Sequence, residues 1–565
     1  NLILLEALDL SHNQLGSAIP VELGSLVLLK TLNLGYNLIT GAIPVELGSL
    51  AALETLDLSH NQVGSTIPWQ LGNLTALKTL NLGTNLIIGG IPVELGNLVN
   101  LELLDCSNGL FSGPLPAQLG NLTLLQSLNL TNNQFNSPLP AELGNLSSLL
   151  IMNLSYNMFT GTIPPELGNL AQLQTLNLGH NQFSGEIPAQ LGNPAALQSL
   201  ELDNNQFSGA VPAALGNLTG LVLMDLSHNQ FTGIPAELQT LDSLLTLDLS
   251  FNLIPGIPTT LGGLAGLQTL NLAYNLLGSL PAELQTLDVL LTLDASHNQL
   301  ASIPLELGGL ASLQTLNLAS NQLGGAIPLE LGNLVLLETL DLSHNQLSGA
   351  IPTALGSLAQ LQTLNLGANL LTGGIPLELG NLAHLVNLNL GTNSLTGGIP
   401  TQLNSLTGLQ TLDLSYNKLG GDIPDLSALT HLTALQLYRN ALTGPIPAWV
   451  NSQANLTALN LSNNKLSGGI PAGLGGLAHL QNLNLSSNQF SGSIPVELGA
   501  LASLQELNFY DNLLSGAIPP ELGNLAALGS LNLSKNQLSG AIPTTLGNLS
   551  NLGYLYLHNN QLSGS

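Results

Sequence analysis

The sequence predicts an α/β repeat solenoid with a parallel β-sheet, and three observations support this prediction. A landmark asparagine recurs every 23 or 24 residues from Asn13 to Asn560, with Gly109 as the one replacement, so the chain contains 24 repeats. Leucines alternate with polar residues early in each repeat, and aromatic residues make up only 3% of the chain. Stacked repeats that contact only their neighbours can form such a long chain without separate globular cores.

Each part of the repeat has a predictable role, as in residues 29–50, which read LKTLNLGYNLITGAIPVELGSL. Leucines around Leu32 alternate with polar or small residues, the period-two pattern of a short strand with one buried face. Asn37 follows this strand, where a buried amide can bond the backbone of the turn, so we expect a ladder of such amides along the repeats. Gly41 permits a tight turn, and Pro44 fixes the backbone at its end.

The second half of the repeat resembles a known family. Residues 41–50 read GAIPVELGSL, and this segment is similar to the plant-type leucine-rich repeat, whose pattern is G-x-I-P-x-x-L-G-x-L. The resemblance extends over nearly all residues and implies one right-handed leucine-rich repeat superhelix over residues 1–565. Its parallel sheet would form the concave face, with 3₁₀ turns and short strands on the convex side. Similar proteins include ectodomains of plant receptor kinases, receptor-like proteins and polygalacturonase inhibitors.

Several repeats depart from the common length. Four successive 23-residue steps cover residues 229–321, and in each the missing residue lies between the asparagine and the following Ile-Pro or Leu-Pro pair. We therefore expect residues 229–321 to form a subregion with altered local twist or curvature. A fifth short step, residues 417–440, loses its residue near Pro424. Gly109 interrupts the amide ladder, where Asn108 offers an alternative amide.

Both ends of the chain fall inside a repeat. Asn1 enters in mid-repeat without an initiating methionine, and Ser565 stops before the Ile-Pro pair that should follow. Because terminal repeats of a solenoid need polar caps over their core, we expect the native protein to extend beyond both ends.

The charge balance limits the partners that the chain can bind. Six Lys and Arg residues against 33 Asp and Glu residues give a net charge of −27. Nucleic acid is excluded as a partner because its binding requires a basic surface, and anionic lipid is disfavoured for the same reason. No apolar run is long enough for direct membrane insertion in this segment, and no cofactor is predicted. The single cysteine, Cys106, lies in a leucine column and is predicted to be buried.

Phenylalanine occupies one position in six successive repeats. Such a column could form a ligand-binding stripe, but other repeats place buried-type residues such as Leu15 or Ile39 there. A spine of core side chains is therefore the better interpretation. The column consists of Phe111, Phe135, Phe159, Phe183, Phe207 and Phe231.

The sequence gives little support for catalysis or metal binding, so we predict no catalytic residues and no enzyme in this segment. Histidines before the landmark asparagine never occur in adjacent repeats, which places them about 10 Å or more apart, too far for shared zinc ligation. Glu201, Asp225 and Asp248 occupy equivalent positions in adjacent strands. These acids are either a calcium candidate or simply solvated carboxylates with perturbed pKa values. The histidines are His12, His60, His180, His228, His297 and His344.

The outward strand positions are monotonously small or polar until the carboxy-terminal third, where larger side chains appear. Tyrosine and arginine are typical interface anchors, although relaxed repeats near a terminus would look the same. Similar plant peptide receptors use a pair of concave arginines to hold a peptide carboxylate, and here only one arginine is present. The candidate partner-binding residues are Tyr438, Arg439, Tyr510, Asp511, Tyr554, Tyr556 and His558.

Eleven Asn-x-Ser/Thr sequons occur, and six resemble the glycosylated edge positions of extracellular relatives. The repeat itself generates Asn-Leu-Thr and Asn-Leu-Ser, so composition alone offers a second explanation. The candidate glycosylation sites are Asn73, Asn121, Asn145, Asn217, Asn455 and Asn548.

Two hypotheses for the function follow. The first is an extracellular or cell-surface module that binds protein, peptide or glycan through its concave and lateral surfaces, as the family resemblance implies. The second is a structural or assembly scaffold, such as a surface coat, adhesin, filament or fixed subunit of a larger complex, which the monotonous strand surface favours. An ice-binding surface is disfavoured because the sheet should curve and an Asp/Asn row interrupts the threonines.

Overall fold

The computed structural model describes residues 2–564, and the chain divides into two compact units, Asn1–Leu290 and Leu291–Ser565. Each unit is a stack of repeats built from a three-residue strand, a turn and usually a 3₁₀ helix, often with a second short strand between them. The predicted repeat solenoid is confirmed, and the helical part of residues 2–564 consists of 3₁₀ helices. Within the same residues, no helix has the length and apolar character needed to cross a lipid bilayer.

The main strands of the first unit pair in parallel and in register, so that equivalent leucines such as Leu8 and Leu32 lie side by side. One leucine points inward between two outward polar residues, which reproduces the period-two pattern of the sequence. The twelve main strands are Ala7–Asp9, Thr31–Asn33, Thr55–Asp57, Thr79–Asn81, Leu103–Asp105, Ser127–Asn129, Ile151–Asn153, Thr175–Asn177, Ser199–Glu201, Leu223–Asp225, Thr246–Asp248 and Thr269–Asn271.

The second unit repeats the same arrangement, with Leu293 beside Leu316 in its first strand pair. Its twelve main strands are Thr292–Asp294, Thr315–Asn317, Thr339–Asp341, Thr363–Asn365, Asn387–Asn389, Thr411–Asp413, Ala434–Gln436, Ala458–Asn460, Asn482–Asn484, Glu506–Asn508, Ser530–Asn532 and Tyr554–Tyr556.

The 3₁₀ helices begin after the proline of the Ile-Pro pair. Pro44, with φ of −64°, directs the chain into one such helix, and the Leu50 N–H closes it on the Leu47 carbonyl at 3.1 Å. A Cβ at Gly48 would overlap the Gln70 carbonyl of the next repeat, so the helices stack too closely for any larger residue there. In the first unit they are Val21–Ser25, Val45–Ser49, Trp69–Asn73, Val93–Asn97, Ala117–Asn121, Ala141–Asn145, Pro165–Asn169, Ala189–Gly192, Ala213–Asn217, Ala236–Thr240, Thr259–Gly263 and Ala282–Thr286.

Among the described residues of the second unit, the short repeat that loses its residue near Pro424 has no 3₁₀ helix. There the Asp425 carboxylate accepts the Ser427 N–H at 3.0 Å, and the Trp449 indole N–H donates to the Pro424 carbonyl at 2.9 Å. The 3₁₀ helices of this unit are Leu305–Gly309, Leu329–Asn333, Thr353–Ser357, Leu377–Asn381, Thr401–Ser405, Ala448–Ser452, Ala472–Gly476, Val496–Ala500, Pro520–Asn524 and Thr544–Asn548.

Short second strands follow the turn in most repeats but are missing from most of the shortened repeats of residues 229–321. Among the described residues, none occurs between Gly233 and Gly324, which is where the sequence lacks one residue per repeat. In the first unit they are Thr40–Gly41, Gln62–Val63, Ile88–Gly89, Leu110–Gly113, Gln134–Phe135, Thr160–Gly161, Gln182–Gly185, Gln206–Ala210 and Gln230–Gly233. In the second unit they are Gly324–Gly325, Gln346–Ala350, Leu370–Thr372, Gly420–Asp422, Ala441–Thr443, Ser467–Gly468, Gln489–Gly492, Leu513–Gly516, Gln537–Gly540 and Gln561–Leu562.

The core of each unit consists of leucine columns, and in the first unit it contains the phenylalanine column. All six phenylalanines are fully buried, and neighbouring rings lie 5.6–6.3 Å apart between centroids. The predicted core spine is therefore confirmed. Cys106 is also buried, and this burial raises the pKa of its thiol well above the ordinary value.

The landmark asparagines form the predicted amide ladder. Asn181 donates its side-chain N–H groups to the carbonyls of Leu154, Leu178 and Gly179, each at 3.1 Å, and its Oδ1 accepts the Phe159 N–H at 2.9 Å. These bonds link two adjacent repeats, and among the described residues Asn181 is the acceptor that the buried Phe159 N–H finds.

Gly109 interrupts the ladder, and Asn108 does not replace the missing amide. The Asn108 side-chain nitrogen lies 3.4 Å from Ser107 Oγ, away from the ladder carbonyls. A Cβ at Gly109 would lie 2.9 Å from the Phe111 ring and 2.9 Å from Asn133 Oδ1. The phenylalanine ring therefore occupies part of the space that an asparagine would need.

Candidate functional site

We call the outward-facing side chains of the main strands, together with the second residue after each of these strands, the strand face. On this face, an asparagine of one repeat donates its side-chain N–H to the aspartate Oδ2 of the preceding repeat. Sequence reasoning recognised the Asp/Asn row but missed these bonds, although the alternation of the two residues was the available signal. The pairs are Asn81 with Asp57, Asn129 with Asp105, Asn271 with Asp248, Asn317 with Asp294 and Asn365 with Asp341, at 2.8–3.2 Å.

The three acids of the calcium hypothesis lie on adjacent strands, but each is held by different partners. Glu201 accepts from Asn177 at 2.7 Å, whereas Asp248 accepts from Asn271 at 2.8 Å. Asp225 accepts the Ser227 N–H at 2.9 Å and a side-chain hydrogen bond from the same serine. Burial raises the pKa of the Asp225 carboxyl, and the Asp248 charge adds to the effect. In residues 2–564, no group of three or more His, Cys, Asp or Glu side chains is arranged to hold a metal ion. The calcium hypothesis thus gains no support from the geometry.

Replacing Asp225 with asparagine is expected to stabilise the protein at pH 7, by on the order of 1 kcal/mol or less. The pKa of Asp225 is higher in the folded protein than in the unfolded chain. The stability that protonated Asp225 contributes is therefore fully present below the unfolded pKa of about 3.9 and is lost as the pH rises through the folded pKa. The advantage of D225N should therefore disappear near pH 3. Urea unfolding at both pH values measures this, and D341N is the control because Asn365 already pairs with that carboxylate. Equal stabilisation by both variants would contradict the prediction.

The turn residue before each ladder asparagine adopts a left-handed conformation with φ of 50–57°. This geometry brings the rings of adjacent repeats face to face in the first unit. His12, Tyr36 and His60 stack with centroids 4.4 and 4.0 Å apart, and Tyr156 stacks on His180 at 4.0 Å. The histidines of the first unit, His12, His60, His180 and His228, are therefore part of aromatic stacks, which sequence reasoning missed because it considered histidine alone.

Tyr438 and Arg439 form a compact group with Tyr416 in the second unit. The Tyr438 ring meets the Tyr416 ring edge-on at 5.2 Å, and the Arg439 guanidinium carbon lies 4.6 Å from the Tyr416 centroid. Arg439 is thereby oriented by a cation–π contact. Sequence reasoning missed Tyr416, which occupies the turn position one repeat before Arg439.

Tyr510 and Asp511 form a second group, in which Lys535 is the residue that sequence reasoning missed. Lys535 Nζ lies 4.8 Å from the Tyr510 ring centroid. The Tyr510 side chain raises the pKa of Lys535, and the Asp511 charge adds to this effect. Lys535 is exposed and therefore stays available as a cation.

Tyr554, Tyr556 and His558 form a third group on and after the last main strand. The two tyrosine rings lie 6.4 Å apart, and His558 meets Tyr556 edge-on at 6.5 Å. Tyr554 is 62% exposed and Tyr556 is 43% exposed. The seven predicted residues thus lie in the second unit and form three separate groups, with Tyr438 and Tyr510 three strand spacings apart, about 14 Å.

A groove of about 140 Å³ borders the first of these groups. Its lining includes the glycines Gly367 and Gly391 and the carboxylate of Asp413. His344 and Tyr438 also line it. A Cβ at Gly391 would lie 3.0 Å from Asp413 Oδ1, so glycine keeps this part of the strand face open.

A larger depression of about 460 Å³ in the second unit is lined by His431, Asn455 and His479 among other polar residues. Asn455 belongs to a predicted sequon, and its side-chain N–H donates to the Thr430 carbonyl at 3.0 Å. All six sequon asparagines singled out in the sequence are exposed, and five of them end 3₁₀ helices. Their glycosylation stays a prediction.

Comparison with known sequences gives matches along most of the chain. Profiles described as Leucine rich repeat match residues 2–63, 195–254, 311–371 and 430–490. A two-copy profile of the same repeat matches residues 51–93. A single-repeat profile matches residues 124–146, 148–170, 172–194, 408–429, 503–525 and 527–549. No match is found among curated protein sequences.

Solved structures similar to this chain include three plant receptors. The plant peptide hormone receptor RGFR1 in complex with RGF2 is 37% identical, with a TM-score of 0.90, and the match covers 98% of this chain and 89% of that one. A TDR receptor is 31% identical, with a TM-score of 0.83 and coverage of 98% and 92%. The Arabidopsis receptor kinase HAESA, in complex with the peptide hormone IDA and the co-receptor SERK1, is 35% identical, with a TM-score of 0.72 and coverage of 99% and 87%.

Proposed function

Because the chain belongs to the leucine-rich repeat family, we propose that it is an extracellular ligand-binding module that takes a peptide on the strand face of its second unit. RGFR1 and HAESA, to which the chain is similar over nearly its whole length, are both described in complex with peptide hormones. That this chain also binds a peptide is part of the proposal.

The observation that carries the proposal is the distribution of aromatic side chains on the strand face. In the part of the chain that the structure describes, aromatic residues at the outward strand positions or two residues after a main strand occur in the second unit alone, at Tyr438, Tyr510, Tyr554, Tyr556 and His558. In the first unit, the same positions hold small or aliphatic residues and Asn–Asp pairs that bond each other. Aromatic and basic anchors supply most of the binding energy at protein interfaces, so the second unit is the better binding surface.

The test uses a random dodecapeptide phage library selected on the immobilised full chain. Peptides enriched on the native chain should lose affinity by at least about tenfold when Tyr438, Arg439 and Tyr510 are all replaced by alanine. Calorimetry with the synthetic peptides measures this loss. A matched variant with Tyr36 and Tyr156 replaced by alanine, which removes exposed tyrosines from the first unit, should bind within twofold of the native chain.

Two outcomes contradict the proposal. If no peptide is enriched above uncoated wells, the strand face is not a peptide-binding surface, and the internally bonded Asn–Asp rows would favour a scaffold. If the triple variant binds as well as the native chain, the peptide site lies elsewhere.

A further inference from the structure

One aspartate in the second unit lacks the asparagine partner that its equivalents have. Asp294 and Asp341 each accept a side-chain N–H from the asparagine of the following repeat, at 2.9 Å. The residue opposite Asp413 in the following strand is Gln436, and the hydrogen bond that reaches the Asp413 side chain is the Ser415 N–H to Oδ1 at 2.8 Å. Within residues 2–564, no side-chain donor bonds Asp413 Oδ2, so this oxygen is available to a ligand.

Asp413 lies in the 140 Å³ groove, which its neighbours keep open. A Cβ at Gly391 would lie within contact of Asp413 Oδ1, and a Cβ at Gly367 would lie 2.8 Å from Asn389 Nδ2. The volume corresponds to about five water molecules, so it accommodates part of a side chain or a chain terminus rather than a folded domain.

The walls of the groove determine the charge of the group that it can accept. Tyr438 supplies an aromatic surface, and the Arg439 guanidinium next to it is turned onto the Tyr416 ring. His344 is the one lining side chain that can carry a positive charge, and it belongs to a repeat three strands away from Asp413. A half-buried carboxylate with a free oxygen, in a chain of net charge −27, therefore attracts a cation.

We propose that Asp413 receives a cationic group of the peptide ligand, a Lys or Arg side chain or a free amino terminus, while the adjoining part of the peptide packs on Tyr438. This assignment rests on the proposed function of the same face, and it specifies in addition that the peptide carries a positive charge. The ammonium or guanidinium N–H groups of the ligand donate to Asp413 Oδ2. They thus take the place of the asparagine side chains that donate to Asp294 and Asp341.

The experiment compares Asp413→Asn with Asp341→Asn in the full chain. Both changes remove one negative charge from the same row, but only the first removes the carboxylate with the free oxygen. Peptides selected on the native chain should carry a basic residue at one recurrent position or require a free amino terminus. Their affinity should fall about tenfold on D413N and stay within twofold on D341N.

Two peptide analogues distinguish the sources of the positive charge. If the amino terminus is the cation, its acetylation should abolish the difference in peptide affinity between the native chain and D413N. If a side chain is the cation, replacement of the basic residue by norleucine should abolish that difference. If D413N binds like the native chain while Tyr438→Ala weakens binding, the assignment of Asp413 is wrong and the proposed function stands. If no peptide is enriched at all, both are wrong.

Discussion

Replacing Asn181 with alanine is expected to cost about 3 kcal/mol of stability, because the buried Phe159 N–H loses its acceptor and three buried carbonyls each lose one donor. The Asn181 side chain donates to three carbonyls and accepts the Phe159 N–H, and it is only 9% exposed. Alanine cannot replace these bonds, although the Leu154, Leu178 and Gly179 carbonyls each keep a second donor. The Phe159 N–H has no other acceptor among the described residues, so it carries the desolvation penalty of an unpaired buried donor.

Hydrogen exchange followed by mass spectrometry measures the local effect of Asn181→Ala. The Phe159 amide, whose acceptor is removed, should exchange about 100-fold faster or more, because local opening becomes cheaper by the lost stability. Asn145→Ala is the matched control, since Asn145 is exposed at the end of a 3₁₀ helix, and it should change stability by less than about 0.5 kcal/mol. Similar losses in both variants would show that the ladder does not stabilise the turns.

Features that repeat with the period of the chain were predictable from the sequence. Asn37 and its equivalents follow a strand whose carbonyls need donors, and this requirement alone predicted the ladder that the structure shows. The phenylalanine column was predictable for the same reason, because Leu15 marked its position as one of the core. Each prediction needed only the environment of a single repeat.

Contacts between side chains of adjacent repeats were harder to predict. The stack of Tyr36 on His60 depends on the left-handed turn that aligns these rings 4.0 Å apart, and hydrophobic periodicity carries no information on that turn. The free oxygen of Asp413 likewise depends on the residue in the following repeat, Gln436. A comparison of each column across neighbouring repeats would have revealed both features.

The sequence predicted which residues belong to the candidate site but not how their side chains are arranged. Tyr438 and Tyr510 were recognised because they replace small residues in a monotonous row. Their partners Tyr416 and Lys535 were missed, because tyrosine and lysine at the turn position are unremarkable when each repeat is read alone. The separation of the site into three groups followed from strand register, which places Tyr438 and Tyr510 three strand spacings apart, with two strands between them.

Replacing Phe183 with alanine is expected to cost about 3–5 kcal/mol, the range for emptying a large buried side chain. The ring is fully buried, and the rings of Phe159 and Phe207 lie 6.0 and 6.1 Å away in the adjacent repeats. A stack of rigid repeats collapses poorly onto a gap, because the spacing of the repeats is fixed by the main strands on one side and the 3₁₀ helices on the other. The cavity should therefore stay open.

Phe183→Leu is the matched control, since Leu347 holds the same position in another repeat and is also fully buried. Leucine fills most of the site, so its cost should be about 1 kcal/mol. Guanidinium unfolding of the two variants measures the difference, and uptake of xenon by the alanine variant alone would report the open cavity, because an apolar cavity stays dry and accepts apolar guests. If leucine and alanine cost the same, or if the alanine variant takes up no xenon, the repeats close around the gap and the phenylalanine column does not fix their spacing.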